Sequence, residues 1–308
     1  MVRRWVVDMN ITNPHGPNIT ILLPGGCNAK CDFCFWDRSF AKIKPPMDYS
    51  ERVWSSIRSL PKDFRVISIS GGEPTLSPWF TRILGGVTRF RRERVIDRVV
   101  LTTHGGNLVP HLPIIGCAID HINISRHAVG TEANKSIFKT DKIPTDKELE
   151  TTISRIHAET SCDVTLNCVV QPDVSAVFCY DFIKYAKSLG ADAVSFRKVA
   201  SDATPTDAEM AFSVAHGIQA QTKCPVCRGM SQLVDGFDVR WKGSVNEPSI
   251  ETKGVYEVVI HPDGNAYADW GMKVPLELES CPPTRLKSTI SRSTGYTSSG
   301  CGRGGGCG

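Results

Sequence analysis

The sequence predicts an α/β fold built on a parallel sheet. Three observations carry this. β-rich runs alternate with amphipathic runs through the first two-thirds of the 308 residues, two amphipathic runs open on capping boxes, and the texture changes near residue 222 to short strands and turns. Six strand–helix units imply right-handed crossovers, and they fall two short of a closed eight-unit barrel. The expected division is a first domain over residues 1–222 and a small extension over 223–308.

The elements follow in order. Asn18 to Leu23 (NITILL) reads as the first strand and runs into a cysteine-bearing loop. Ser50-Glu51 opens a helix with Trp54, Ile57 and Leu60 at helical spacing. Val66 to Ser70 is the second strand, and Ser77-Pro78 opens the next helix. Arg98 to Thr103 and His121 to Ser125 are the third and fourth strands. Thr145-Asp146-Lys147-Glu148 is a capping box. Val164 to Val170 is the fifth strand, followed by a helix around Phe182 to Leu189 that Gly190 ends. Ala193 to Val199 is the sixth strand, and a second capping box starts at Thr206. Beyond it, Phe237 to Trp241 reads as a strand, and Val255 to Trp270 as a β-hairpin about Asp263-Gly264.

With 41% hydrophobic residues, the chain holds enough apolar surface for one barrel-sized domain and an appendage. The net charge of +4 permits an anionic partner without requiring one. The basic run Arg89 to Arg98 reads as a solvated helix face leading into a strand. No signal segment and no apolar stretch of membrane-spanning length is present, so the expectation is a cytoplasmic chain with no membrane partner. In a reducing compartment, 12 cysteines point to metal ligation rather than disulfides. Cys117, Cys162, Cys168 and Cys179 fall in apolar or strand-like settings and read mostly as buried core residues.

The chemistry concentrates in Cys27, Cys31 and Cys34, spaced C-x3-C-x2-C. Three close thiolates suit a [4Fe–4S] cluster with one iron left open for a further ligand. A structural zinc site would want a fourth nearby ligand, and three cysteines cannot pair evenly as disulfides. A second motif follows, Ser70-Gly71-Gly72-Glu73-Pro74, which alone would be a strand-ending turn.

The cysteine spacing, Phe33 before the last cysteine, and the downstream Gly-Gly-Glu-Pro together resemble the radical S-adenosylmethionine (SAM) superfamily. The resemblance implies a partial (β/α)6 TIM barrel. It also implies SAM held by the open iron of the cluster, and one-electron cleavage to methionine and a 5′-deoxyadenosyl radical that abstracts hydrogen from a substrate. A reductant of flavodoxin or ferredoxin type is the expected electron donor. The active face of such a barrel lies at the carboxyl ends of its strands. There the resemblance implies Gly71, Gly72, Glu73 and Pro74 at the cofactor, with Glu73 directed at the SAM ammonium, and Phe33, Phe35 and Trp36 as walls for the adenine. Thr103, Ser125, Arg126, Asn167 and Arg197 are further cofactor-binding candidates, and His104 and His127 are candidates for acid–base work.

A second cysteine set, Cys224, Cys227, Cys281, Cys301 and Cys307, lies in the extension. It resembles SPASM and Twitch extensions, which carry auxiliary Fe–S clusters, although the dense cysteine run of a SPASM domain is absent. One auxiliary Fe–S cluster or a structural zinc both remain open. The substrate is expected to be a nucleobase or nucleoside, within DNA, RNA or an amino-acid-decorated base. The alternative is a peptide that is crosslinked. Only 26 residues precede Cys27, too few for a fused peptide-recognition domain, so a peptide would need a separate escort.

Overall fold

The computed structural model describes residues 18–36, 39–93, 96–171, 174–198, 230–242, 257–268, 270–272 and 275–276. Six strands run parallel in sequence order: β1 (Asn18–Leu23), β2 (Val66–Gly71), β3 (Arg98–Thr103), β4 (His121–Ser125), β5 (Asp163–Val170) and β6 (Ala193–Lys198). Helices α1 (Tyr49–Ser59), α2 (Phe80–Phe90), α3 (Leu112–Ala118), α4 (Thr131–Phe138), α5 (Asp146–Glu159) and α6 (Ala176–Ser188) lie in the connections. The partial-barrel architecture expected from the sequence is present.

Two strand pairs from beyond residue 229 extend this sheet rather than standing apart. β7 (Met230–Val234) and β8 (Phe237–Lys242) form a hairpin, and β8 pairs in parallel with β6. β9 (Glu257–Ile260) pairs in parallel with β1, and β10 (Ala266–Tyr267) folds back on it. The sheet order is β10-β9-β1-β2-β3-β4-β5-β6-β8-β7, an open sheet with antiparallel strands at both edges. The β7–β8 turn is Asp235-Gly236, both at positive φ (49° and 74°), as the tight hairpin turn demands. In the other hairpin Gly264 takes φ 82°, and Asp263 accepts from Asn265 N at 2.9 Å.

Strand alternation explains the two layers. Ile19, Ile21, Ile67, Ile69, Val99, Leu101, Ile122, Ile124, Leu166 and Phe196 are buried in one core with Val53, Ile57, Ile83, Val87, Ile153 and Phe182 of the helices. The alternate residues face the barrel interior and are largely polar. They include Thr20, Ser68, Thr102, Asn123, Thr165, Asn167, Ser195 and Arg197.

Several boundaries differ from expectation for visible reasons. α2 begins at Phe80, not at Ser77-Pro78, because the Ser77 hydroxyl donates to Pro24 O (2.6 Å) and accepts from Trp79 N (3.3 Å) in a turn ahead of the helix. α3 and α4 go unpredicted. α3 has seven residues containing Pro and Gly, and α4 starts at Gly130 (φ 86°) with no side-chain cap. The Thr145 capping box of α5 forms with both reciprocal bonds. The Thr206 box lies outside the described residues. The basic run divides: Arg89 and Arg91 pair with Glu93 and Asp120 on the outside, and Arg98 turns into the barrel beside His121 at 2.8 Å. Cys162, Cys168 and Cys179 are buried, but Cys117 is exposed.

Candidate active site

The loops after β1, β2 and β3 meet at the carboxyl ends of the strands, and close backbone approach is what joins them. Gly72 lies so near the cysteine loop that an added Cβ would meet Gly26 C and O at 2.7 Å and Cys27 N at 3.0 Å. Gly71 takes φ 143°, and a Cβ there would meet Leu23 O at 2.9 Å. The two glycines are therefore steric requirements of the junction between β2 and the cysteine loop. Glu73 N donates to Gly26 O at 3.2 Å and closes the junction.

The Glu73 carboxylate is buried, and four donors converge on it. Oε1 accepts from Thr75 N (3.1 Å), Thr75 Oγ1 (2.5 Å) and Thr103 Oγ1 (2.6 Å), and Oε2 accepts from His104 N (2.8 Å). It caps the 3₁₀ turn Pro74–Leu76, in which Pro74 is buried. A ligand ammonium reaching this carboxylate would have to share oxygens already committed to these bonds.

His104 ties β3 to the cysteine loop. Its Nδ1 accepts from Gly106 N at 3.0 Å, so in the neutral ring the proton sits on Nε2, which contacts Asn28 Oδ1 at 2.7 Å. Burial lowers the His104 pKa, with Glu73 opposing. The ring acts as a neutral bridge, and Asn28 is a site residue that the sequence reading missed.

The far side of the cysteine loop rests on α4. Lys30 N donates to Phe138 O at 2.8 Å, and Lys139 pairs with Asp32. Phe33 meets the His127 ring edge-on at 4.9 Å, and His127 stacks on Phe138 at 5.0 Å. His127 Nδ1 accepts from Val169 N at 3.0 Å, and burial lowers its pKa to about 3, helped by Arg126. It is a neutral packing and hydrogen-bonding group. Asn134, also missed, organises this corner: its Oδ1 accepts from His127 N (2.8 Å), and its Nδ2 donates to Ala128 O (2.6 Å) and Gly130 O (2.8 Å).

Arg126 sits differently from expectation. It is wholly buried, and its guanidinium donates to His104 O, Ser125 O and Pro144 O, each at 3.0 Å. These bonds turn it away from a ligand and make it the tie between the ends of β3 and β4. Ser125 and Asn167 are half-buried on the inner face, paired in register, and Arg197 is half-buried two residues beyond Ser195, the β6 partner of Asn167. Phe35 is exposed and meets Trp270 edge-on at 4.8 Å. Trp36 is instead buried with Leu22 and Val259, against Phe40 and Trp270, which makes it core rather than a ligand wall.

The thiols of Cys27, Cys31 and Cys34 remain exposed or half-buried at this junction. Desolvation pushes Cys31 up to about 12, and the neighbouring Cys34 and Cys27 add to it; Cys27 is raised by desolvation and then by Glu73 and Cys34. Cys27 and Cys31, held protonated first by desolvation and then by neighbouring charges, belong to a donor set that bound iron converts to thiolates. A cluster gives each thiolate its own iron, so the three need not converge on one point. Among the described residues no three His, Cys, Asp or Glu side chains do converge as a single ion requires. The residues present fit a [4Fe–4S] cluster. Cys224, Cys227, Cys281, Cys301 and Cys307 lie outside the described residues.

The family model of the radical SAM superfamily matches residues 21–176, from the first strand through the cysteine and Gly-Gly-Glu-Pro motifs to α6. The chain belongs to the radical SAM superfamily. The cofactors of this enzyme superfamily are a [4Fe–4S] cluster and SAM. The chain is 22% identical over 187 residues to GTP 3′,8-cyclase of Brucella abortus, a match covering 58% of this chain and 53% of the relative. It thus spans about half the length of the curated relatives it matches. In fold it is similar to Streptococcus suis SuiB bound to SAM, with a TM-score of 0.58 and 14% identity over 86% of this chain and 61% of SuiB. SuiB bound to its precursor peptide SuiA aligns equally well, with a TM-score of 0.58 over 83% of this chain and 60% of that one. Among the described residues of this radical SAM chain, no helix is long and apolar enough to cross a membrane.

Proposed function

We propose that this chain cleaves SAM reductively and uses the resulting radical on a nucleoside or nucleotide. The observation that carries the first half is the junction of the thiol loop with Gly72 and Glu73, where main chain meets main chain with no room for a side chain. When bound, the cluster supplies the electron that splits SAM into methionine and a 5′-deoxyadenosyl radical. Cys27, Cys31 and Cys34 would hold it. Asn28 and His104 hold the loop in register with β3, and Phe33 and His127 close its outer side. Glu73, Gly71, Gly72, Pro74 and Thr103 form the SAM-facing rim, with Phe35, Ser125, Asn167 and Arg197 around the opening.

The nucleotide half draws on the similarity to GTP 3′,8-cyclase, which spans more than half of this chain. The second reading, peptide crosslinking, draws on the likeness to SuiB with SuiA, which is a likeness of fold. The residues from 223 onward that lie outside the strands joined to the barrel sheet would carry the five cysteines of an auxiliary Fe–S cluster or a zinc ion. The electron would come from a flavodoxin or ferredoxin. Anaerobic, iron-reconstituted protein given SAM, dithionite and a panel of nucleotides should release 5′-deoxyadenosine faster with one of them and alter that nucleotide's mass. Release that no nucleotide stimulates but a peptide does would reverse the substrate assignment.

A further inference from the structure

The surface around the thiol loop carries cations without counter-ions. Lys30, Lys42, Lys44 and Lys142 are exposed, and none of their side chains makes an ion pair among the described residues. The described acids beside them are engaged. Asp32 pairs with Lys139, Asp48 with Arg52 at 2.9 Å, and Glu132 and Asp141 share Lys135 at 2.9 and 4.0 Å. One surplus acid, from that shared pair, therefore stands against four unpaired ammonium groups.

The fold ties each of these lysines to the thiol loop. Lys30 lies between Cys27 and Cys31, and its N–H donates to Phe138 O at 2.8 Å. Lys42 closes the 3₁₀ turn Phe40–Lys42, whose Phe40 meets Trp36, two residues beyond Cys34, edge-on at 5.4 Å. Lys44 follows, just ahead of Met47, which is 93% exposed. The Lys142 carbonyl would stand 2.8 Å from a Cβ on Gly106. Gly106 N donates to His104 Nδ1, and His104 Nε2 contacts Asn28 of the thiol loop. Phe35 is exposed beside Cys34, as are Cys27 and Cys34 themselves. Exposed apolar groups among unpaired cations, beside cluster-binding thiols, are the composition of a docking surface that draws its partner by charge.

We propose that this face docks an acidic one-electron carrier protein, whose carboxylates pair with Lys30, Lys42, Lys44 and Lys142 while Phe35 and Met47 enter the contact. This rests on the radical SAM reading above and assigns the place where its reductant binds. One electron passes from the reduced carrier to the cluster held by Cys27, Cys31 and Cys34. The carrier is oxidised, the cluster is reduced, and no atom is transferred. Redox encounters of this kind bury less than about 1,200 Å², so charge rather than area sets their rate and no groove is needed.

The test is titration of the anaerobically reconstituted full chain into fluorescently labelled flavodoxin, and separately into a labelled acidic ferredoxin, read by anisotropy. One carrier should bind saturably at about 0.05 M salt and severalfold more weakly at about 0.3 M. Lys42→Glu/Lys44→Glu should weaken that binding about tenfold or more. Lys62→Glu/Arg92→Glu makes the same change in net charge where α1 and α2 lead into β2 and β3, and should alter it less than about twofold. Lys42→Arg/Lys44→Arg should retain binding, which separates loss of charge from loss of fold. Zero-length carbodiimide crosslinks from the carrier should map to Lys30, Lys42, Lys44 or Lys142. Reduction of the cluster by the reduced carrier should slow in Lys42→Glu/Lys44→Glu, while reduction by the methyl viologen radical should not. Binding by neither carrier, binding insensitive to salt, equal losses in the two charge-reversed variants, or crosslinks confined to other lysines would each overturn the proposal. SAM cleavage by dithionite in the same preparation is scored separately. Its absence would remove the radical reading, whereas intact cleavage without carrier binding would remove this inference alone.

Discussion

The wall formed by β9, β1, β2 and β3 and the wall formed by β5, β6 and β8 treat their polar groups in opposite ways. On the first, the functional side chains are bonded into the frame: Glu73 to four donors, His104 between Gly106 and Asn28, and Glu257 to three. On the second, cations outnumber acids, and the Thr165 and Ser195 hydroxyls are unsatisfied. A site that performs the same step whatever the substrate gains from rigid preorganisation. A site that recognises a particular substrate must leave donors for it to complete. Under the function proposed above, the first wall would serve the generation of the radical, and the second differs from it in holding two buried hydroxyls without partners among the described residues.

Changes on the first wall should be the most damaging. Replacing Cys27, Cys31 and Cys34 together with Ala should abolish both the visible absorbance of the cluster and all 5′-deoxyadenosine release. Residual release above the protein-free control would mean that the cluster sits elsewhere. Next comes Asn28→Ala, which removes the acceptor facing His104 Nε2 and frees the loop between two ligands. Outer-shell losses of this kind cost about 10–100-fold in metal affinity or activity. Iron retained after gel filtration and the SAM cleavage rate should fall together, and a fall in rate with full iron content would deny Asn28 its positioning role.

Arg126→Met tests the tie between the ends of β3 and β4. It would leave the carbonyls of His104, Ser125 and Pro144 without their buried donor. The expected loss of stability is about 3 kcal/mol, from unsatisfied buried acceptors. Denaturant unfolding measures it. SAM affinity of the folded fraction should change far less, because the guanidinium is turned inward. A large loss of SAM affinity at unchanged stability would restore Arg126 to the ligand contacts that the sequence suggested.

What could be read from the sequence divides along physical lines. Strands β1 to β6 were legible because each alternates or concentrates β-branched residues between turn signals, and α5 because Thr145 and Glu148 form a complete local cap. The thiol triad and Gly-Gly-Glu-Pro were legible because their chemistry depends on short spacing. α4 was not, since its start is organised by Asn134, four residues inside the helix, bonding back to Gly130 O and Ala128 O. The insertion of β8 beside β6 and of β9 beside β1 was equally hidden. Parallel pairing at the edge of a sheet leaves no local mark, so those segments read as an appendage. Arg126 illustrates the same limit: an arginine at a strand end looks like a clamp for a carboxylate until the carbonyls around it are seen.

The mildest change isolates stability from chemistry. Thr145→Ala removes the hydroxyl that accepts from Glu148 N and donates to Glu148 Oε2, at a helix start on the outer layer. The loss of such a cap costs about 1 kcal/mol. SAM cleavage per folded molecule should not change, because the cap touches neither wall. Its pH dependence is also fixed in sign. The Glu148 pKa is lowered by its backbone and side-chain bonds to Thr145. That contribution is present above the unfolded carboxyl pKa and is lost as pH falls through the lowered value. The stability difference between wild type and Thr145→Ala should therefore shrink in acid. A difference that stays constant down to low pH would show the hydroxyl acting alone, without its carboxylate partner.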